Sequence, residues 1–456
     1  MAPPPAPIQR VPYDVLLDLL RTVYQPSESD WVNTVDDRTS LSLVCKEWRQ
    51  TILSSPQFWQ HLPINRMTSV AFIERQLRHS LQLDLVVFVN MLVFTVTRKL
   101  DLPSDIPLES PTYVLETLLP FLLPHMHRVK SFSVTGYNEL EMRSVMAVVS
   151  DSNVGRLQTL TGSVLSPSSK SISLPTFATV PHLLRLSTTA GGLWADTVIY
   201  KHLRTLRISN SEHGYSMKWK NFIEVLKAAS SLRILQLFHL TWEYDMHPDE
   251  FPHLDMVSVT ELHVTANFWG HADRLNRLHF PHLHTLRIAT ASPLDRTVQS
   301  TFAECLLRIR RLELVICRSA NYPTISFDEL IAAAVNISEL RFPWPWARTW
   351  ASFVESARAR TLVIPNVRWI TVDGAVAQEE IEAVLACAPA GCVVQAGSAT
   401  AVCHRWVLRM GRAVAECICE FEPDSSLDGI WKTEMHSQGR TRRARGNTDV
   451  MGTWGS

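Results

Sequence analysis

An excess of charge of either sign is missing from this sequence: Lys and Arg total 44, Asp and Glu total 44, and the formal net charge is zero. A balanced chain has no general attraction to a phosphate backbone or an anionic bilayer, so neither nucleic acid nor membrane is expected as a partner. Cysteine is sparse, 8 residues in 456, and scattered. That excludes a disulfide scaffold and leaves free thiols in a reducing compartment, cytoplasmic or nuclear. Glycine is scarce as well, 16 residues, and forms no phosphate-cradling loop or dinucleotide fingerprint. Gly-x-Ser-x-Gly and His-Glu-x-x-His arrangements are missing, so no catalytic residues and no cofactor are expected, and the chain reads as a non-enzyme. The longest apolar run, Leu85 to Val96, contains Asn90 and falls short of the roughly 20 residues that cross a bilayer. It reads as buried strand or helix. The first nine residues form a proline-rich tail without the apolar stretch of a secretory signal.

What remains is a composition made for a large core, 46% apolar and 19% charged. From about residue 10 to 64 the pattern is one of short helices. Pro12 sits where a helix can begin, and Val15, Leu16, Leu19, Leu20 and Val23 follow at helical spacing. A second apolar stripe runs Leu41, Val44, Cys45, Trp48, and Pro56, Phe58, Trp59 and Leu62 close the region.

From 65 to 420 a short strand pattern recurs: Phe132-x-Val134, Leu206-x-Ile208, Leu235-x-Leu237, Leu286-x-Ile288, Leu312-x-Leu314, Leu340-x-Phe342 and Leu362-x-Ile364, with weaker copies at Leu160 and Leu186. Near residue 260 two registers compete, Val257-x-Val259 and Leu262-x-Val264. The clear copies lie about 20–29 residues apart, the length of one strand plus one helix in a leucine-rich repeat. A unit of that size cannot bury its apolar face alone, so neighbours must stack. Asn221-Phe-Ile-Glu224, Thr301-Phe-Ala-Glu304, Ser326-Phe-Asp-Glu329 and Ser352-Phe-Val-Glu355 read as capping boxes that start the intervening helices. Residues 421–456 are polar, with Arg440, Arg442, Arg443 and Arg445 clustered. They read as a disordered tail that is either merely solvated or an import signal.

Residues 11 to 62 resemble the F-box family. Val11-Pro12-Tyr13-Asp14-Val15-Leu16-Leu17-Asp18-Leu19-Leu20 matches the family opening, Leu43-Val44-Cys45-Lys46-Glu47-Trp48-Arg49 its middle, and Pro56-Gln57-Phe58-Trp59 its ending. The chain departs from the pattern at Val11, at Asp14 and in a longer segment from Gln25 to Asp37. More loosely, the whole chain is similar to F-box proteins of mushroom-forming fungi, which carry degenerate leucine-rich repeats. The fold class implied is α/β: a small all-α F-box module (10–64) followed by an irregular leucine-rich-repeat solenoid of strands and helices (65–420). The function implied is substrate recognition in a Skp–cullin–F-box ubiquitin ligase. The F-box docks a Skp-type adaptor, which hangs from a cullin, and the repeats bind a protein target. A non-ligase scaffold with a retained F-box is the alternative. The resemblance places adaptor binding on Val11, Pro12, Val15, Leu16, Leu19, Leu20, Leu43, Val44, Cys45, Trp48 and Trp59, all of which could equally be core. Large rigid aromatics dominate interface energies, which favours the two tryptophans as anchors.

Other residues admit a sharper and a blander reading. Trp344, Trp346 and Trp350, and Trp269 beside Phe268, are candidates for target contact, with packing between repeats the favoured reading for the Trp344–Trp350 group. Cys387, Cys392, Cys403, Cys417 and Cys419, with His404, lack the paired spacing of a zinc site and read as core, so no metal is expected. His182, His202 and His282 each stand four residues before a strand leucine, which marks a position in the repeat rather than a ligand set. His125 and His127, like His282 and His284, form pairs at i, i+2, which would share a face on a strand but not on a helix.

Overall fold

The computed structural model describes residues 11–24, 31–91, 113–136, 139–150, 152–164, 182–189, 197–209, 216–238, 240–243, 250–265, 277–290, 307–316, 335–342, 347–359, 364–373, 376–397, 403–409 and 412–418, with 180, 245 and 247. It is a mixed α/β chain with a large parallel sheet. Among the described residues no helix is long and apolar enough to cross a membrane. Contacts divide the chain into two compact units, one reaching to Ser133 and the other running Val134–Phe421.

In the first unit, helix α1 (Tyr13–Val23) begins directly after Pro12, whose carbonyl accepts the Leu16 N–H at 2.9 Å. Leu16 and Leu20 turn inward to join Tyr24, Ile52, Phe58 and Trp59 in one core cluster. Helices α2 (Trp31–Val44) and α3 (Lys46–Ser54) split what the spacing predicts as one stripe. Cys45 between them is extended, φ −157° and ψ 173°, which breaks the helix. Leu41 and Trp48 therefore reach the core from separate helices, while Leu43 and Val44 are left outside. A 3-10 turn, Pro56–Trp59, drives Phe58 and Trp59 inward. Trp59 Nε1 donates to the Ile52 carbonyl at 2.9 Å, the Arg38 guanidinium lies 4.1 Å over its ring, and His79 stacks on it at 4.4 Å. Strand β1 (His61–Asn65), helix α4 (Val70–His79) and strand β2 (Leu85–Asn90) follow, with β1 and β2 parallel and Leu62 opposite Val87. The apolar run from Leu85 is thus a buried strand over its described part. An irregular helical stretch, Val114–Leu118, Leu119–Leu122 and Leu123–Arg128, leads to strand β3 (Val129–Gly136).

The second unit contains helices α5 (Glu139–Ser150), α6 (Trp219–Ala228), α7 (Ala347–Arg358) and α8 (Gln378–Cys387). Its parallel strands are β4 (Thr159–Val164), β5 (Arg185–Thr189), β6 (Thr205–Ser209), β7 (Ile234–Phe238), β8 (Glu261–Thr265), β9 (Thr285–Thr290), β10 (Arg311–Ile316), β11 (Glu339–Phe342), β12 (Trp369–Asp373) and β13 (Val393–Gly397). They pair in chain order, and one ladder crosses them all through Leu160, Leu186, Leu206, Leu235, Leu262, Leu286, Leu312, Leu340, Ile370 and Val394. Strands β14 (Cys403–Arg409) and β15 (Arg412–Ile418) then add antiparallel.

This ladder settles the register near residue 260. Leu262-x-Val264 lies in the main sheet, whereas Leu254–Asp255 pairs separately with Leu278–His279. In the unit where Leu362-x-Ile364 is the expected copy, the strand that joins the ladder is Ile370-x-Val372; Leu362 lies outside the described residues, and Ile364 stands ahead of a turn. Pro365 follows Ile364 and has no N–H to give a ladder, so the chain turns there, and the Ile364 carbonyl accepts from Val367 at 3.4 Å.

The capping-box reading fails where it can be checked. Asn221 lies inside the first turn of α6, after Trp219, and Ser352 lies in the middle of α7. What the shared motif marks is its phenylalanine: Phe222 and Phe353 are both buried, Phe222 against Trp219 and Trp242 and Phe353 against Phe342 and Trp350. The copies at Thr301 and Ser326 lie outside the described residues.

Stacking is held by a repeated set of bonds ahead of each strand. Counting back from the ladder residue, the third position is apolar and buried in unit after unit, as in Leu157, Leu203, Val259, Ile309 and Val367. The carbonyl at the second position accepts two N–H groups from the next unit; Arg233 O, for example, takes Thr260 N at 2.9 Å and Glu261 N at 3.1 Å. The side chain at the fourth position reaches back to a carbonyl of the preceding unit. Ser258 donates to Ser230 at 2.8 Å, Arg308 to Pro281 at 3.3 Å, Asn366 to Val335 at 2.6 Å, and Asn336 to Leu307. His182, His202 and His282 occupy this same fourth position, as the repeat reading expects.

Candidate functional site

Two surfaces stand out, one in each unit. In the first, the inward turn of Leu16 and Leu20 leaves the flanking face of α1 with Val15, Leu19 and Val23, spaced four residues apart and 51%, 42% and 58% exposed. Leu43 and Val44, beside the break at Cys45, are 67% and 58% exposed. The row along α1, three exposed aliphatics on one helix face, is the kind of apolar feature that marks an interaction surface. The geometry beneath is fixed by the Trp59 cage and by Tyr13, whose hydroxyl bonds Ser55 at 3.1 Å. Those hydroxyl contacts, chiefly with Ser55, hold the Tyr13 pKa below its usual value.

The residues that the resemblance assigns to adaptor binding therefore separate. Pro12, Val15, Leu19, Leu43 and Val44 are exposed, and Val11, Cys45 and Trp48 are half-buried. Leu16, Leu20 and Trp59 are core and are not themselves open to contact from outside.

In the second unit, side chains alternate with the ladder leucines and face the other side of the sheet. There the middle position of each strand is polar and often buried: Arg207, Gln236, His263, Arg287 and Glu313. Glu313 holds Arg311 at 2.8 Å, Arg287 at 3.4 Å and Arg341 at 3.8 Å, and Arg311 also meets Glu339 at 3.3 Å. Gln236 Nε2 donates to His263 Nδ1 at 3.0 Å, while His263 Nε2 stands 3.7 Å from Glu261. Burial pushes the His263 pKa down, only partly offset by Glu261, so the ring stays neutral. This network pairs buried charges of opposite sign across neighbouring strands and can hold register, since a buried charge needs partners. No strand leucine signals it; the signal in sequence is the polar residue between the two apolar ones.

Trp350 is 5% exposed, packs on Phe342 and Phe353, and donates to Glu380 at 3.0 Å, which joins α7 to α8. For this residue the packing reading holds. Trp344, Trp346, Trp269 and the arginines at 440–445 lie outside the described residues. Cys387 donates to the Ala357 carbonyl at 3.2 Å, and burial raises the Cys392 thiol to about 11. Among the described residues no group of His, Cys, Asp and Glu is arranged to hold a metal ion. His125 and His127 lie in the 3-10 stretch before β3, not on a strand. Neither a family model nor a curated protein matches the chain.

Proposed function

We propose that this chain is the substrate-recognition subunit of a Skp–cullin–F-box ubiquitin ligase. Its first helices form an F-box that docks a Skp-type adaptor, and its strand repeats form a leucine-rich-repeat array that binds a protein target. The observation that carries the reading is the exposed apolar row of α1, with Leu43 and Val44 of the motif exposed as well. The motif residues Leu43 to Arg49 begin with two exposed aliphatics, and α1 and α3 are locked by a packed core. A helix presenting aliphatics at four-residue spacing fits a helical partner surface. The second unit supports the reading through its periods of 20 to 30 residues and its single ladder, the geometry of stacked repeats. Such a subunit works by proximity: it raises the local concentration of target beside a charged ubiquitin carrier and needs no catalytic side chain of its own.

The test is co-elution of the full chain with a purified Skp-type adaptor and a cullin fragment in size-exclusion chromatography. A stable ternary peak supports the ligase subunit. A folded chain that elutes alone sinks it and leaves a repeat scaffold.

A further inference from the structure

The repeat register brings together residues that the strand pattern does not single out. In the three positions ahead of each ladder strand, from β4 to β13, there is no aspartate or glutamate anywhere. The same positions hold Arg156, Arg204, Arg233, Arg308, Arg310 and Arg368, all but Arg156 bordering grooves, together with His182, His202, His282 and His284. In a chain whose charges balance overall, these positions carry charge of one sign only. Because the strands are parallel, all these positions fall on one rim of the sheet, at the strand N-termini. Two grooves open there. One of about 500 Å³ is bordered by His182, His202, Arg204 and Arg233; one of about 1190 Å³ is bordered by His282, His284, Arg308, Arg310, Asn336 and Arg368. They adjoin at the unit of Ser258 and Thr260.

We infer that this rim binds an extended, carboxylate-rich segment of a partner protein. The larger groove crosses six strands, from the unit of Thr260 to that of Ala390. At about 4.8 Å per strand this is roughly 24 Å, the reach of about seven extended residues. Arg204, Arg233, Arg310 and Arg368 stand two residues ahead of their ladder positions and are exposed, so guanidinium groups recur along the track as forks matched to carboxylates. Among the described residues the groove linings contain no Phe, Tyr or Trp, the large rings on which single-stranded bases stack best, so the arginine forks rather than a stacking platform dominate, which favours an acidic peptide over a single-stranded nucleic acid. The inference rests on the proposed function only in taking the array to bind protein, and it names the chemistry of that target.

The experiment is fluorescence anisotropy of a labelled ten-residue polyglutamate peptide titrated with the full chain, beside a neutral Gly-Ser peptide and ten-nucleotide poly-dT. Saturable binding of polyglutamate alone, falling as salt rises and weakened at least tenfold in Arg310→Glu/Arg368→Glu, is the expected result. Arg21→Glu, an exposed change in the first unit, leaves it unaltered. If the double charge reversal unfolds the array, Arg310→Gln/Arg368→Gln replaces it, with several-fold weakening expected. No saturable binding at low salt, binding indifferent to these variants, or tighter binding of poly-dT overturns the inference. Adaptor binding read on the same samples separates the two readings: its failure removes the ligase role and leaves the polyglutamate result standing.

Discussion

Glu313 lies at the centre of the strand-face network, 5% exposed and within reach of three arginines. Removing one partner of a buried ion cluster leaves the others uncompensated, which costs about 3–5 kcal/mol. Glu313→Ala should therefore lower the urea midpoint of the second unit by that equivalent, while Glu224→Ala, an exposed pair with Lys227, changes it by less than about 1 kcal/mol. His61 poses a different test. Burial, aided by the Arg38 charge, lowers its pKa to about 4 from 6.5. The unfolded chain therefore binds the proton more readily than the folded one between those values. The stability due to the neutral ring is complete above pH 6.5 and is lost as pH falls toward 4, by at most about 3 kcal/mol. Denaturation at stepped pH should show this slope, and His61→Phe, which keeps the ring beside Tyr24, should flatten it. An unchanged slope in the variant would assign the loss elsewhere.

At the scale of elements, α1 carries both core residues and the exposed row proposed for docking. Leu20→Ala, inside the core, should cost about 2–5 kcal/mol, whereas Leu19→Glu one position away should leave the melting temperature nearly unchanged. Differential scanning calorimetry of the pair checks this directly. The sequence made the central strands easy to find, because from Leu206 to Leu340 each ladder leucine is followed two positions on by a second apolar residue, whereas Gly162, Thr188 and the non-leucine ladder residues Ile370 and Val394 blur the pattern toward both ends. It made the helix starts hard. Asn221 and Ser352 have the chemistry of caps, yet burial of Trp219 and Trp350 begins the helices earlier, so packing overrides local capping preference. The break at Cys45 was equally hidden, since Leu41 to Trp48 keeps helical spacing across it. The exposed side of α1 could be placed only once Leu16 and Leu20 were known to point inward. The rim and the ion network were invisible for the same reason: their members lie far apart in the chain and meet only through the register.

For the whole molecule, a parallel sheet growing by stacking has a problem at its last strand, whose backbone groups invite another chain. Strands β14 and β15 turn antiparallel and cover β13, with Val393 opposite Val407. Ending the chain after residue 397 uncovers that strand, and static light scattering should then report self-association that the full chain lacks. Gly391 ahead of β13 takes φ +87°, with nothing within 4 Å of where a Cβ would stand. Gly391→Ala should accordingly cost about 1 kcal/mol through the backbone alone. The central claim, that the first unit docks an adaptor through its exposed aliphatic row, is tested most directly by isothermal titration of a purified Skp-type adaptor into the full chain and into Val15→Glu/Leu19→Glu. The account predicts a saturable complex for the unaltered chain that is lost in the variant while its circular dichroism and melting temperature persist. Equal affinity for both chains, or no heat of binding with either, would contradict it.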